Sequence, residues 1–242
     1  MKTTITSDKI ERNNTPAGFK DTAFDKKCFE KKRARLILYD FFKSILFYPH
    51  KDMVLSFRNS SIMQNICWAQ ELIDINSNQL LENMSNYMIS ENEGEILEDL
   101  SIEYTRLFIN CYEGIVAVPY ESFYKSFDKS VMGEVSVEVS QFYKTYGLEV
   151  SEEFTDPPDH IAVEMEFMTY LITKEIQTMD SSVDDLKTKF YHTGQRNFLK
   201  KHLSTWGELF FSKVLTNTEN IFWREAAGLG NFFLKKEALW AG

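Results

Sequence analysis

A proline pair followed by an acid and a histidine is the segment of this chain best suited to recognition chemistry. Residues 156–160 read Asp-Pro-Pro-Asp-His, and an apolar repeat at steps of three and four follows them. Because proline is tolerated in the first turn of a helix, the segment predicts a helix entrance. Asp156 can cap this helix, and Asp159 adds negative charge at the positive end of its dipole. Asp159 and His160 are thus predicted at the edge of a loop, where polar groups can meet a partner.

A second candidate lies in residues 110–128, which lose helical periodicity and predict a long loop. Tyr120, Phe123 and Tyr124 stand there beside Glu121, and large aromatics in an exposed loop need something to cover them. A carboxylate framed by aromatic rings suits a guanidinium group, which takes both a bidentate acceptor and a flat π face. The loop therefore predicts a contact with a basic peptide.

The residues of these two candidate segments also have simpler structural explanations. Asp159 could be only a helix-end charge, which contributes about 0.3–1 kcal/mol. His160 could bond a backbone carbonyl or Glu164, which lies four residues further along the same helix face. Those two could also share a metal, but four histidines in the chain and no second cluster argue against a zinc or iron site.

Judged by spacing alone, other candidate site residues are more typical of the hydrophobic core. Tyr104, Leu107 and Phe108 lie on one predicted helix at core spacing, and His202 and Trp206 are four apart on another. Catalytic motifs are missing: the sequence has no P-loop, no nucleophile elbow and no His-Glu-x-x-His pair. We therefore predict a binding protein without a cofactor or metal, and not an enzyme.

Four motifs in order resemble the TorD/DmsD family, the cytoplasmic chaperones for molybdenum-cofactor oxidoreductases that are also called redox-enzyme maturation proteins. The signature at 156–168 resembles the family's Pro-Asp-His-Ile block. The other three are the block 103–108 with 118–124, the segment 132–147 and the stretch 198–206, and the four together cover roughly residues 97–210. Asp156 stands where the family usually has Glu, and Asn110 where a Gly often follows the Leu-Phe pair. Asn is the next best residue for a left-handed turn, so we expect that turn to survive.

The elements that position these motifs read as helices throughout. We predict a flexible tail over 1–24 and one all-α domain of about ten helices over 25–242, with the 110–128 loop leaving room for two lobes. Gly147 is a predicted helix stop. The predicted helices cover 25–47, 52–58, 61–74, 78–90, 93–109, about 130–146, the signature helix with Asp159 and His160 on its first turn, 182–192, 195–214 and 218–236.

Composition and net charge limit the classes of molecule that the protein is expected to bind. Of 242 residues, 43% are hydrophobic, which is ample for a core, and the net charge is −9, which disfavours nucleic acid and anionic membranes. Cys28, Cys67 and Cys111 are odd in number and widely spaced, as free thiols in a reducing compartment are. No signal peptide or membrane-spanning run is visible, so we expect a cytoplasmic location.

The resemblance implies a chaperone that binds the twin-arginine signal peptide and the apoprotein of a molybdopterin oxidoreductase subunit before export. We expect the protein to be either a monomer or a dimer that exchanges helices between its protomers. The alternatives are a nucleotide-dependent (GTP-binding) switch and a generic helical adaptor. Glu164, His202 and Trp206 are expected to support the site. The residues predicted to contact the peptide are Tyr104, Leu107, Phe108, Pro119, Tyr120, Glu121, Ser122, Tyr124, Asp159 and His160.

Overall fold

The computed structural model describes residues 23–110, 114–179 and 185–242, and they are helical as predicted. Nearly all of the predicted tail lies outside the described residues. The described part contains eleven α-helices, against about ten expected, and no strand longer than a single bridge. They are α1 (Ala23–Leu46), α2 (Lys51–Arg58), α3 (Ser60–Leu72), α4 (Asn78–Ser90), α5 (Glu93–Tyr104), α6 (Glu121–Lys125), α7 (Glu134–Thr145), α8 (Ile161–Met179), α9 (Asp185–Lys201), α10 (Leu203–Asn217) and α11 (Ile221–Ala241).

Several helix ends differ from the sequence prediction. The helix expected over 93–109 changes after Tyr104 to a π-helical turn over Thr105–Ile109. Asn110 after it is extended, with φ −162°, and does not make the predicted left-handed turn. Gly147 does take φ +74° and ends α7 as expected. The break between α9 and α10 falls at His202, so His202 and Trp206 do not share one continuous helix.

Helix α8 runs through the middle of the protein, between α1 and α9. It is buried on nearly every face of its first four turns, which explains why its sequence lacks a clear polar stripe. Helices α10 and α11 pack closely, because Gly207 and Gly230 leave room for the side chains of Leu234 and Phe211. Buried residues from α1 to α11 form a single hydrophobic cluster that includes both sides of the 110–128 connection.

A buried ionic network ties α1 to three later helices. The Arg35 guanidinium donates to both carboxylate oxygens of Glu237, each at 2.7 Å, and to Gln195 Oε1 at 2.8 Å. Gln195 in turn donates to Glu175, whose other oxygen accepts from Lys32 Nζ at 2.7 Å. Helical periodicity gave no signal for this network, because each member is a single polar residue on an otherwise apolar face.

Candidate functional site

The two segments singled out by sequence meet in space. The backbone N–H of Ile161 donates to the carbonyl of Pro119 at 2.8 Å, and that of Glu121 donates to the carbonyl of Asp159 at 3.0 Å. Tyr120 and His160 therefore face each other in a one-residue antiparallel bridge. This seam fixes the start of α8 against the connection that precedes α7.

Asp159 lies inside the seam and not at an open helix mouth. Its carboxylate is fully buried, with Oδ2 accepting from the backbone N–H of Ser122 at 2.7 Å and Oδ1 from Ser136 Oγ at 2.6 Å. The expectation of an exposed charge on the first turn of α8 is thus corrected. Asp159 instead caps the neighbouring α6, whose first turn has backbone N–H groups without partners in the helix.

Glu121 is also fully buried, which corrects its predicted place on an exposed loop. Its carboxylate accepts a hydrogen bond from Lys125 Nζ at 2.8 Å and lies 3.0 Å from His202 Nδ1. Lys125 also donates to the carbonyl of Lys201 at 2.7 Å, and 30% of its side chain is exposed. The charge of Glu121 is therefore covered on its solvent side by a lysine from the next turn of α6.

Glu164 connects α8 to α10 beneath this pair. Its Oε2 accepts from the Trp206 indole N–H at 3.3 Å, while Oε1 has no hydrogen-bond donor among the described residues. Burial, followed by the nearby Glu121 carboxylate, raises the pKa of Glu164 well above its ordinary value. A protonated Glu164 can donate to Glu121, which suits its predicted role in supporting the site.

His160 is a neutral cap at the start of α8. Its Nδ1 accepts from the backbone N–H of Ala162 at 3.1 Å, so it bonds neither a carbonyl nor Glu164 through that atom. Burial lowers the pKa of His160 to about 4, although Asp156 and Asp159 act in the opposite direction. Its ring lies parallel to that of Phe47, with centroids 6.3 Å apart.

The rings predicted to line a groove are divided between core and surface. Tyr104, Leu107 and Phe108 are core residues, as their spacing alone suggested, and Tyr104 donates to the carbonyl of Leu46 at 3.1 Å. Phe108 packs against Phe210 of α10 and Trp223 of α11, with ring centroids 5.6 and 5.2 Å apart. Tyr124 lies half-buried against Trp206, with ring centroids 5.2 Å apart, and Pro119 and Ser122 are buried in the seam.

Tyr120 is the predicted site residue that keeps the clearest access to solvent. Its hydroxyl donates to Asp156 Oδ1 at 2.6 Å, at the outer edge of the seam. Burial and this hydrogen bond to Asp156 raise the pKa of Tyr120. Asp156 is therefore an outer partner of Tyr120 and does not cap α8, whose cap is His160.

Sequence reasoning missed the exposed apolar residues between α6 and α7. Phe127 is fully exposed, and Val131 and Met132 are largely so. Met132 and Lys129 take positive φ values of 76° and 55°, a strained state for side chains of this kind and one that is often found at functional sites. The six residues 127–132 mix apolar, charged and polar side chains without a helical period, and the helix predicted from about residue 130 begins only at Glu134.

The described part of the chain contains neither a candidate membrane span nor a candidate cluster of metal ligands. No helix there is both long enough and apolar enough to cross a bilayer. The same residues place no three His, Cys, Asp or Glu side chains together as metal ligands.

The chain has an all-helical fold, and comparison with known sequences gives its family. The chain belongs to the nitrate reductase delta subunit family, whose model matches residues 70–212. This confirms the TorD-like assignment that the four motifs predicted, and the matched region contains the whole seam.

Named relatives agree with that assignment. The chaperone protein TorD of Aliivibrio fischeri is 26% identical over 183 residues, covering 74% of this chain and 80% of that protein. The perchlorate reductase assembly chaperone protein of Dechloromonas aromatica is 27% identical over 114 residues, covering 46% of this chain and only 50% of that protein. Both relatives are named as chaperones and neither as an enzyme.

A solved structure from Archaeoglobus fulgidus, assigned to the redox enzyme maturation proteins, has a TM-score of 0.48 and 22% identity over 85% of this chain and 93% of its own. That likeness is too weak to transfer a function.

Proposed function

We propose that this protein is an assembly chaperone for a molybdopterin oxidoreductase subunit. It binds the basic and apolar leader of that subunit, its twin-arginine signal peptide, and holds the apoprotein in the cytoplasm until the cofactor is inserted. The family assignment and the names of the relatives support the general role. The contact between Glu121 and Lys125 supports the choice of a basic ligand.

The ion pair between Lys125 and Glu121 resembles the contact that we propose between an arginine of the leader and Glu121. A buried carboxylate is costly unless a cation or hydrogen-bond donors accompany it. Here the cation is Lys125, and it is the part of the pair that solvent can reach. Since an arginine can bond both carboxylate oxygens while a lysine acts as a point charge, an incoming arginine can replace Lys125 at Glu121.

The apolar part of a leader has a place beside this pair. The backbone N–H of Met132 donates to Ser122 Oγ at 3.1 Å, which holds the exposed apolar segment 127–132 against the seam. The net charge of −9 would steer a basic leader toward the protein, and the apolar side chains would supply area to bury. We place the apolar run of the leader on this segment.

Calorimetry tests the proposal with two synthetic leaders, one with an Arg-Arg pair before an apolar run and one with Gln-Gln in its place. We expect the Arg-Arg leader to bind more tightly, with a negative heat-capacity change from apolar burial. Equal affinity for the two leaders, or a heat-capacity change near zero, would contradict the proposal.

Lys125→Met tests the exchange of cations directly. Removing the internal competitor should tighten binding of the Arg-Arg leader by up to about fivefold, since a partly exposed ion pair contributes at most about 1 kcal/mol. Lys189→Met on the exposed face of α9 changes the net charge equally and serves as the control. Unchanged or weaker binding by Lys125→Met would show that Lys125 does not occupy the arginine position.

A further inference from the structure

A cleft separate from the seam lies between the end of α1, the connection from α7 to α8, and α8 itself. Its walls include Phe47, Val150, Phe154 and Phe167, and Glu166 lies among them. The enclosed space in the cleft is about 30 Å³, and the cleft is open to solvent. It can therefore take the tip of one side chain and not a folded segment.

Glu166 is the unusual member of this lining. Its side chain is only 4% exposed, and Oε1 has no hydrogen-bond donor in the part of the chain that is described. Burial raises the pKa of Glu166; Lys43 acts in the opposite direction, but its ammonium group is paired with Asp40 at 2.6 Å. A carboxylate oxygen that is buried without a donor destabilises a fold, so packing does not account for it.

The remaining lining indicates the chemistry of an occupant. Glu149 stands at the rim, largely exposed and only loosely paired with Lys144 at 3.6 Å. The lining thus combines two acids with three phenylalanine rings, which suits a ligand with an apolar stem and a flat cationic head. Arginine fits this description better than lysine, because its guanidinium stacks on aromatic faces and is more weakly hydrated.

We propose that this cleft is a subsite for a single arginine side chain of a bound peptide, with Glu166 as its counter-ion. The proposal rests on the proposed function in one respect, since it takes the ligand to be a basic peptide. The location supports it: Phe47 and Phe154 line the cleft and also lie against the His160 ring, with centroids 6.3 and 6.0 Å away. A peptide seated on the seam is therefore near the cleft.

Glu166→Gln is the main test, because a binding role and a structural role predict opposite results. We expect the Arg-Arg leader to bind at least about tenfold more weakly, while the melting temperature stays the same or rises. Glu152→Gln, an exposed acid on the same connection, carries the same charge change and should alter neither quantity. Val150→Phe, which fills the cleft and keeps Glu166, should weaken binding as Glu166→Gln does.

The outcomes separate this subsite from the proposed function. If the wild-type protein binds the leader and Lys125→Met tightens binding, while Glu166→Gln and Val150→Phe leave the affinity unchanged, the proposed subsite is wrong and the cleft holds only water.

A second experiment needs no leader peptide: N-acetylarginine amide is added to the protein, and binding is followed by amide chemical shifts in the two-dimensional NMR spectrum. Saturable shifts confined to 148–154 and 163–167, lost in Glu166→Gln, support the subsite even if no leader binds. Their absence in the wild-type protein overturns it.

Discussion

The carboxylate of Asp159 accepts the backbone N–H of Ser122 at 2.7 Å, across 37 residues of sequence. An acid at the entrance of one helix thereby caps another, the five-residue α6, which is too short to be stable by itself. The same carboxylate holds Ser136 near the start of α7. One side chain thus joins the beginnings of three helices, and the position of Glu121 and Lys125 depends on it.

Asp159→Asn should therefore lower the stability of the protein. The sequence alone suggested a small effect, that of a surface dipole charge, but the buried carboxylate accepts two hydrogen bonds that an amide cannot both reproduce. We expect a loss of about 1.5–3 kcal/mol in the free energy of unfolding, measured with urea. Ser136→Ala removes one of the two bonds and should cost about 1 kcal/mol. A change below 0.5 kcal/mol in Asp159→Asn, taking about 0.5 as the spread for surface sites, would mean that the cap is dispensable.

Glu164→Gln should stabilise the protein more at high pH than at low pH. Because the folded-state pKa of Glu164 is raised, its contribution to stability is complete below the unfolded-state pKa and is lost as pH rises toward the folded value. Gln resembles the protonated acid and removes this dependence. The advantage of the variant should grow above pH 5 by up to about 1.4 kcal/mol per unit. Urea unfolding at pH 5, 6, 7 and 8 measures it, and a constant difference would contradict the assignment of a protonated Glu164.

The helical fold and the meeting of the two motif segments could be predicted from the sequence. Which polar groups are exposed could not. Proline, glycine and apolar spacing located α7 and the start of α8 because those signals are local. The burial of Glu121 and Asp159 is set by partners far along the chain, Ser136 and His202. A motif resemblance places such acids in one region without saying which side of the seam they face.

His160 should titrate with a pKa near 4. The folded-state pKa lies below the ordinary value of about 6.5, so the stabilisation is complete above 6.5 and is lost as pH falls through 4. The total loss should be about 3 kcal/mol. Measuring it in a Glu164→Gln background removes the opposite slope of that carboxyl. NMR of the imidazole carbon-bound protons gives the pKa directly, and a value near 6.5 would place His160 in contact with solvent.

Glu237→Gln should strongly lower the free energy of unfolding, because it leaves the buried Arg35 guanidinium without its counter-charge. Removing one partner of a buried ion pair costs about 3–5 kcal/mol. The control is Glu93→Gln, which breaks the exposed pair with Lys51 at 2.7 Å and should cost no more than about 0.5 kcal/mol. Similar losses of unfolding free energy in the two variants would show that the Arg35 network contributes no more than a surface pair.

Gly230→Ala tests the close approach of α10 and α11. A Cβ added at Gly230 would lie 2.7 Å from three ring atoms of Phe211, which is buried and cannot move aside. We expect a loss of about 1–3 kcal/mol from overpacking, in spite of the higher helix propensity of alanine. Gly228→Ala, two residues earlier, meets only a methyl group of Leu80 at 3.3 Å and should be neutral or stabilising by up to about 1 kcal/mol. If the two variants unfold at the same urea concentration, the contact between α10 and α11 is looser than described, and Gly230 is not required for it.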